Sequence, residues 1–194
     1  CKILKEDVRT SHIPIILLTA KDSLQDKEEG YQVGADSYLT KPFSATLLHS
    51  RINNLLESRK RLTERFNTST PHHNMDEKRA LLAESLNKLD NEFIEKINQL
   101  IEARLSSEKI DIGYLADNMC MSKSTLYRKM KALTGLSTNE YVRKIKMQHA
   151  ERLLLEGRYN ISEVAFRVGI NSVVYFRQCF KEEFGVLPSE YLKQ

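Results

Sequence analysis

The sequence predicts a mainly α protein: two helix-turn-helix subdomains joined by a long helix, preceded by a truncated doubly wound α/β segment. Three observations lead there. The second half of the chain repeats itself, an unbroken amphipathic stretch connects the two copies, and the first ~50 residues alternate strand and helix patterns without enough chain to complete a sheet.

At the start of the chain, "HIPIILLTA" (residues 12–20) is a continuous apolar run of strand length, expected to be a strand buried on both faces. A polar, helix-compatible stretch over 21–33 comes next, punctuated by Gly30 and Gly34. "DSYLTKPF" (36–43) reads as a second strand ended by Pro42. "SATLLHSRINNLLESRKRL" (44–62) reads as an amphipathic helix with Leu47, Leu48, Ile52, Leu55 and Leu56 on one side. The sequence opens on Cys1 rather than Met, and this segment reads as the later half of a doubly wound domain, so a longer parent chain is expected. Residues 65–75, "RFNTSTPHHNM", are the linker candidate, rich in Asn, Ser, Thr and Pro. From 76 to 106 the pattern turns helical, with Leu89, Phe93, Ile97, Leu100, Ile101 and Leu105 at three- and four-residue spacing, as expected of a helix that docks the linker onto the second domain.

The repeat begins at Ile110. At an offset of 49, Ile112, Leu115, Ala116, Met121 and Ser122 fall on Ile161, Val164, Ala165, Ile170 and Asn171. Beyond the turn the offset is 50, and Leu126, Met130, Gly135, Glu140 and Tyr141 fall on Phe176, Phe180, Gly185, Glu190 and Tyr191. Each copy reads as a short helix with a small alanine, a tight turn, an N-cap (Ser122; Asn171 or Ser172), a second amphipathic helix and a closing glycine. That is the helix-turn-helix, whose second helix is built to enter a major groove; the plain alternative is a helical hairpin repeat packed for structure alone. Between the copies, residues 137–156 carry a broad apolar stripe of Tyr141, Val142, Ile145, Ala150, Leu153 and Leu154. At ~1.5 Å per residue this helix spans roughly 30 Å, near the ~34 Å that separates successive major-groove faces. Lys146 falls inside the stripe, with its ammonium expected to reach out to solvent.

Charge favours an anionic partner. From Lys96 to the end there are 16 Lys+Arg against 11 Asp+Glu, a net of +5, while the first 95 residues carry 14 against 15, a net of −1. At 100° per residue, Leu126, Met130 and Leu133 line one side of the first candidate reading helix, and Ser124, Tyr127, Arg128 and Lys131 gather on the other. In the second, Phe176, Cys179 and Phe180 face inward and Val174, Arg177, Gln178 and Lys181 outward. Ser124, Tyr127, Arg128, Val174, Arg177 and Gln178 are therefore the candidates for base contacts in double-stranded DNA: Arg128 bidentate to guanine, Gln178 to adenine, Val174 against a thymine methyl. Lys123, Lys129, Lys131, Lys144 and Lys181 are the candidates for phosphate contacts.

Composition excludes several classes. The chain is 41% hydrophobic and 29% charged, with no apolar run of membrane-spanning length and no leader pattern, so a cytoplasmic location without membrane contact is expected. Cys1, Cys120 and Cys179 are far apart and odd in number; they read as reduced thiols, two of them in helical cores. His72 and His73 lack further ligands at metal-like spacing. No nucleophile–base pair, carboxylate pair or Gly-rich phosphate loop stands out, so no enzymatic activity and no cofactor are expected of this stretch.

The motifs resemble two known families. "IGYLADNMCMSKSTLYRKMKALTGLSTNEYVRKIKMQHAERLLLEGRYNISEVAFRVGINSVVYFRQCFKEEFGVLPSEYL" resembles the DNA-binding domain of AraC/XylS-type transcription regulators over its full length, through the two unequal repeats, the alanine of each first helix and the closing "YF…FKEEFGVLPSEY". It departs from that pattern at Thr138, Ile170, Val173 and Val174. "IPIILLTAK…GADSYLTKPF" resembles the second half of a two-component receiver domain, a flavodoxin-like fold. This second resemblance implies switch residues: Thr19 and Lys41 as phosphoryl contacts and Tyr38 as the aromatic that changes rotamer. The phosphorylated aspartate and the acidic residues that bind Mg²⁺ in a complete receiver have no counterpart here. The resemblances divide the chain into a partial receiver (1–58), a linker with a docking helix (59–106) and a DNA-binding domain (107–194).

Receiver followed by AraC-type domain is the order found in response regulators and in the hybrid two-component systems of gut Bacteroidetes, where a histidine kinase lies upstream in the same polypeptide. The resemblance thus implies a sequence-specific transcription regulator governed by receiver phosphorylation, with double-stranded DNA as partner and RNA polymerase and a second copy as further partners. The alternative reading is a protein-interaction module that contacts RNA polymerase or another regulator without reading bases.

Overall fold

The computed structural model describes residues 1–20, 34–67, 87–106 and 110–192; at 62 and 65–67 only the helical backbone is described. The helix expected over 21–33 and most of the expected linker lie outside the described residues.

Helix α1 (Lys2–Glu6) leads into strand β1 (Ile16–Thr19), which pairs in parallel with β2 (Ser37–Thr40), Ile16 opposite Ser37 and Thr19 opposite Thr40. Asp36 ties this corner together: its carboxylate accepts from the Ile15 N–H at 2.7 Å and from the Lys5 ammonium at 2.7 Å. Leu18 is 43% exposed, so β1 is not buried on both faces as expected; a sheet of two strands offers too few neighbours to cover it.

Helix α2 (Ala45–Asn67) starts on a Ser44 hydroxyl that accepts from the Leu47 N–H at 3.1 Å, and it runs past the expected end at Leu62. Good helix formers and the i,i+4 pairs Glu57–Arg61 and Lys60–Glu64 carry it into the first residues of the expected linker. Helix α3 (Lys88–Glu102), capped by Asn87, buries Phe93, Ile97 and Ile101 on the expected face.

Six helices make up the second half: α4 (Ile112–Asn118), α5 (Lys123–Thr134), α6 (Thr138–Leu155), α7 (Ile161–Arg167), α8 (Val173–Phe184) and α9 (Pro188–Tyr191). Together with α3 they enclose two separate cores. The first joins Phe93, Ile97, Ile101, Leu115, Leu126, Met130 and Tyr141; the second joins Met147, Ala150, Leu154, Val164, Phe176 and Phe180. Helix α6 therefore serves both, its N-terminal half packing into one core and its C-terminal half into the other. Tyr141 anchors the first end through a hydroxyl that donates to the Asn98 side-chain oxygen at 2.9 Å. Its repeat counterpart Tyr191 closes the second core, edge-on to Phe180 at 5.6 Å, with its hydroxyl donating to the Glu151 carboxylate. The architecture is mainly α, with two helix-turn-helix units joined by a long helix behind the small parallel sheet.

Candidate nucleic-acid interface

The two units are built by the same local devices. In the first turn the Met121 N–H donates to the Ala116 carbonyl at 3.0 Å, and in the second the Ile170 N–H donates to the Ala165 carbonyl at 2.9 Å. The residue before each takes the left-handed conformation that closes a helix, Gly169 at φ 66° and Cys120 at φ 52°. Cys120 thus holds a turn position and is exposed, so where two cysteines were expected in helical cores Cys179 alone is buried. Ser122 accepts from the Thr125 N–H at 3.1 Å and Ser172 from the Tyr175 N–H at 3.3 Å. Of the two cap candidates, Ser172 does the work, and Asn171 is the extra turn residue at which the repeat offset changes from 49 to 50. Helices α5 and α8 both end at a left-handed glycine, Gly135 (φ 73°) and Gly185 (φ 79°).

These frames present the expected faces. Ser124, Tyr127, Arg128 and Lys131 are exposed on α5, and Val174, Arg177, Gln178 and Lys181 on α8; Val174 is 78% exposed. Both sets lie opposite the buried Leu126/Met130/Leu133 and Phe176/Cys179/Phe180 stripes, so each helix leaves one face, mostly polar, open to solvent. The Arg128 Nε donates to the Ser124 carbonyl at 3.4 Å, and the Gln178 amide to Glu182 at 3.2 Å, which places both heads along their own helices. Lys123 is also exposed, at the first position of α5.

Two of the expected phosphate contacts lie elsewhere. Lys129, on the flank of α5, is fully buried, and its ammonium is ion-paired with Asp90 of α3 and donates to the Ser11 hydroxyl at 2.9 Å. At 140° around the helix from Ser124 it turns toward α3, not toward solvent. Lys144 is buried at 5% exposure with its ammonium 3.4 Å from Glu183 of α8, a pairing that fastens α6 to α8. Lys146 does not reach solvent either: it is buried, and its ammonium donates to the Gly169 carbonyl at 3.2 Å, stitching α6 to the second turn.

Sequence reasoning missed the cluster around Lys129. Ser11, fully buried, donates to Asp90 at 2.6 Å; the Asn87 amide donates to the other Asp90 oxygen at 2.9 Å; Arg59 of α2 donates to the His12 carbonyl. Burial pushes the Lys129 ammonium's pKa down, opposed by its bond to Asp90. Burial, then the Lys129 charge, pushes the His12 imidazole down to about 4. A signal existed: through the repeat Lys129 falls on Cys179, a core-facing position.

At the other end of the chain, Thr19 and Lys41 meet. The parallel register sets Thr19 beside Thr40, and the Lys41 N–H donates to the Thr19 carbonyl at 2.7 Å, so both sit at the C-terminal edge of the strands, where open α/β sheets bind ligands. Tyr38 lies within β2 and is half-buried. Among the described residues no helix is long and apolar enough to cross a membrane, and no group of three His, Cys, Asp or Glu is placed to hold a metal ion.

Comparison with known proteins agrees with this layout. Residues 115–194 match the model of the helix-turn-helix domain, and residues 1–53 that of the response regulator receiver domain. Histidine kinase P4 of Formosa agariphila is 35% identical over 191 residues, 98% of this chain and 13% of the kinase. The DNA-binding dual transcriptional regulator Rns of Escherichia coli is 32% identical over 99 residues, 51% of this chain and 37% of Rns. Among solved structures, the C-terminal domain of AraT, a response regulator from Geobacillus stearothermophilus, is 31% identical with a TM-score of 0.48, over 52% of this chain and 84% of that one. The chain therefore spans only a fraction of the length of these two curated relatives. A segment similar to response-regulator receiver domains thus leads into two capped helix-turn-helix units that match the AraC-type helix-turn-helix domain.

Proposed function

We propose that this chain is the output region of a two-component signalling protein, in which the helix-turn-helix domain binds specific sequences of double-stranded DNA and regulates transcription under control of the receiver. The observation that carries the reading is the pair of corresponding exposed faces, Ser124/Tyr127/Arg128/Lys131 and Val174/Arg177/Gln178/Lys181, each mounted on a rigid, doubly capped helix. The name of Rns, a DNA-binding regulator, supports the DNA half of the reading, and that of Histidine kinase P4 supports a kinase upstream in a longer parent. Arg128 would read guanine with its fork, Gln178 adenine once it releases Glu182, and Val174 a thymine methyl. Thr19, Tyr38 and Lys41 would relay the receiver's phosphorylation state.

The test is direct. A duplex is selected by the chain from a random library, and its affinity and that of a scrambled duplex are measured across salt for Arg128→Ala. Loss of about 1 to 3 kcal/mol on the selected duplex alone is expected. Equal weakening on both removes the base-reading role of Arg128; failure to bind any duplex at low salt favours the protein-interaction reading instead.

A further inference from the structure

The repeat extends to a third helix. At an offset of 53, Ile94, Ile97 and Ile101 of α3 fall on Met147, Ala150 and Leu154 of α6, all buried. Each reading helix thus has its own lead helix, and the two seams between them can be compared within one molecule. At the same offset Asp90 falls on Arg143, and each is half of an ion pair across its seam: Asp90 with Lys129, Arg143 with Glu182 at 3.5 Å. The polarity is reversed, and so is the surrounding. The side chains of Arg143 and Glu182 are 45% and 49% exposed; those of Lys129 and Asp90 are 0% and 3% exposed.

What roofs the first seam is the receiver segment. Ser11 bonds both members of the pair, His12 is buried beside them, Arg59 of α2 holds the His12 carbonyl, and α2 packs against α5. Asp90 of α3 and Lys129 of α5 both lie outside the receiver segment, so the pair survives if the roof lifts, and it then becomes a hydrated pair like Arg143–Glu182. An apolar residue at 129, as at its counterpart Cys179, would leave an apolar patch in water.

We propose that the α3–α5 seam is the docking site of the receiver segment, and that its occupation by Ser11, His12 and α2 holds the first reading helix in a state that binds DNA weakly. The inference rests on the DNA-binding reading above. A helix with side chains is ~10–12 Å across and a major groove ~12 Å wide, so α5 fills the groove alone. With α2 packed against its flank, α5 meets the groove wall before it is seated; α8, whose corresponding seam is open to solvent, carries no such obstruction. Undocking would convert a one-helix reader into a two-helix reader.

The experiment opens the seam from the receiver side, leaving the helix-turn-helix cores and both reading faces untouched. Ser11→Glu sets a second carboxylate against Asp90, and Arg59→Ala frees the His12 carbonyl. In the full chain, amide exchange over residues 8–12 and 125–132 is measured together with affinity for the duplex selected by the wild-type chain. Faster exchange and a Kd lowered about fivefold or more are expected, the lower range of measured allosteric couplings. Unchanged or weaker affinity in both variants despite faster exchange overturns the docking proposal alone. Unchanged exchange in both overturns it as well, because the segment is then not detachable; a wild-type chain that selects no duplex removes the DNA reading and this inference with it.

Discussion

Lys129 illustrates how one side chain sets the character of a whole contact. Its ammonium lies 4.9 Å from the centre of the Phe93 ring and has Asp90 and Ser11 as polar partners, so its positive charge is satisfied without water. Truncating one partner leaves the other charged and buried: Asp90→Ala is expected to destabilise the domain by about 3 to 5 kcal/mol in urea unfolding, while Asp90→Leu combined with Lys129→Met returns stability to near wild type. A double variant as unstable as the single would show that the pair is specifically required. His12 makes the same contact sensitive to pH. Docked, it faces the cations Lys129, Arg59 and Lys5 and the single anion Asp90, and burial holds its imidazole near 4 against an ordinary 6.5. A histidine whose folded value is depressed stabilises fully above its unfolded value, and the contribution is lost as pH falls from about 6.5 to about 4. Each unit is worth ~1.4 kcal/mol, so the docked segment loses up to roughly 3 kcal/mol across that window. Amide exchange over residues 8–12 should therefore accelerate, relative to α6, as pH drops from 7 to 4.5; a constant ratio would sink the assignment.

The elements differ in how far they could be read from sequence. Caps and turns were legible because Ser122, Gly135 and Gly185 act within three or four residues of themselves, and the core stripe of each reading helix followed from its periodicity. The lead helices were not legible as part of the repeat, since unequal loops shift their offset from 49 or 50 to 53. The long helix α6 read as one apolar stripe, yet its residues divide between two cores, and Lys144 and Lys146 are turned inward by Glu183 and the Gly169 carbonyl. The seam was invisible for a plainer reason: Ser11 meets Asp90 across 79 residues and Lys129 across 118, beyond any local pattern. The paired turns also yield a test. Cys120 takes at φ 52° a conformation that its counterpart leaves to glycine, at a steric cost of roughly 1 kcal/mol. Cys120→Gly is expected to raise stability by about 0.5 to 1 kcal/mol, read as a higher urea midpoint with unchanged slope.

Over the whole molecule, the positive surplus of the second half is smaller in effect than in count. Lys129 is spent on Asp90, Lys144 on Glu183 and Lys146 on a backbone carbonyl, which takes three ammonium groups out of the field that an anionic partner would meet. The lysines left on or beside the reading faces are Lys123, Lys131 and Lys181. Each phosphate neutralised adds about 0.9 to the slope of log K against log salt, so replacing these three by glutamine should make that slope shallower by about 2.7 while leaving the fold intact. Lys144→Gln is the internal control. It breaks a buried pair and should lower stability, yet the salt slope should not move, because its charge never faces the duplex. A slope that shifts by about 0.9 in Lys144→Gln and stays constant in the triple variant would place the phosphate backbone against α6 instead of the two reading helices, and the orientation of the domain on DNA would have to be reversed.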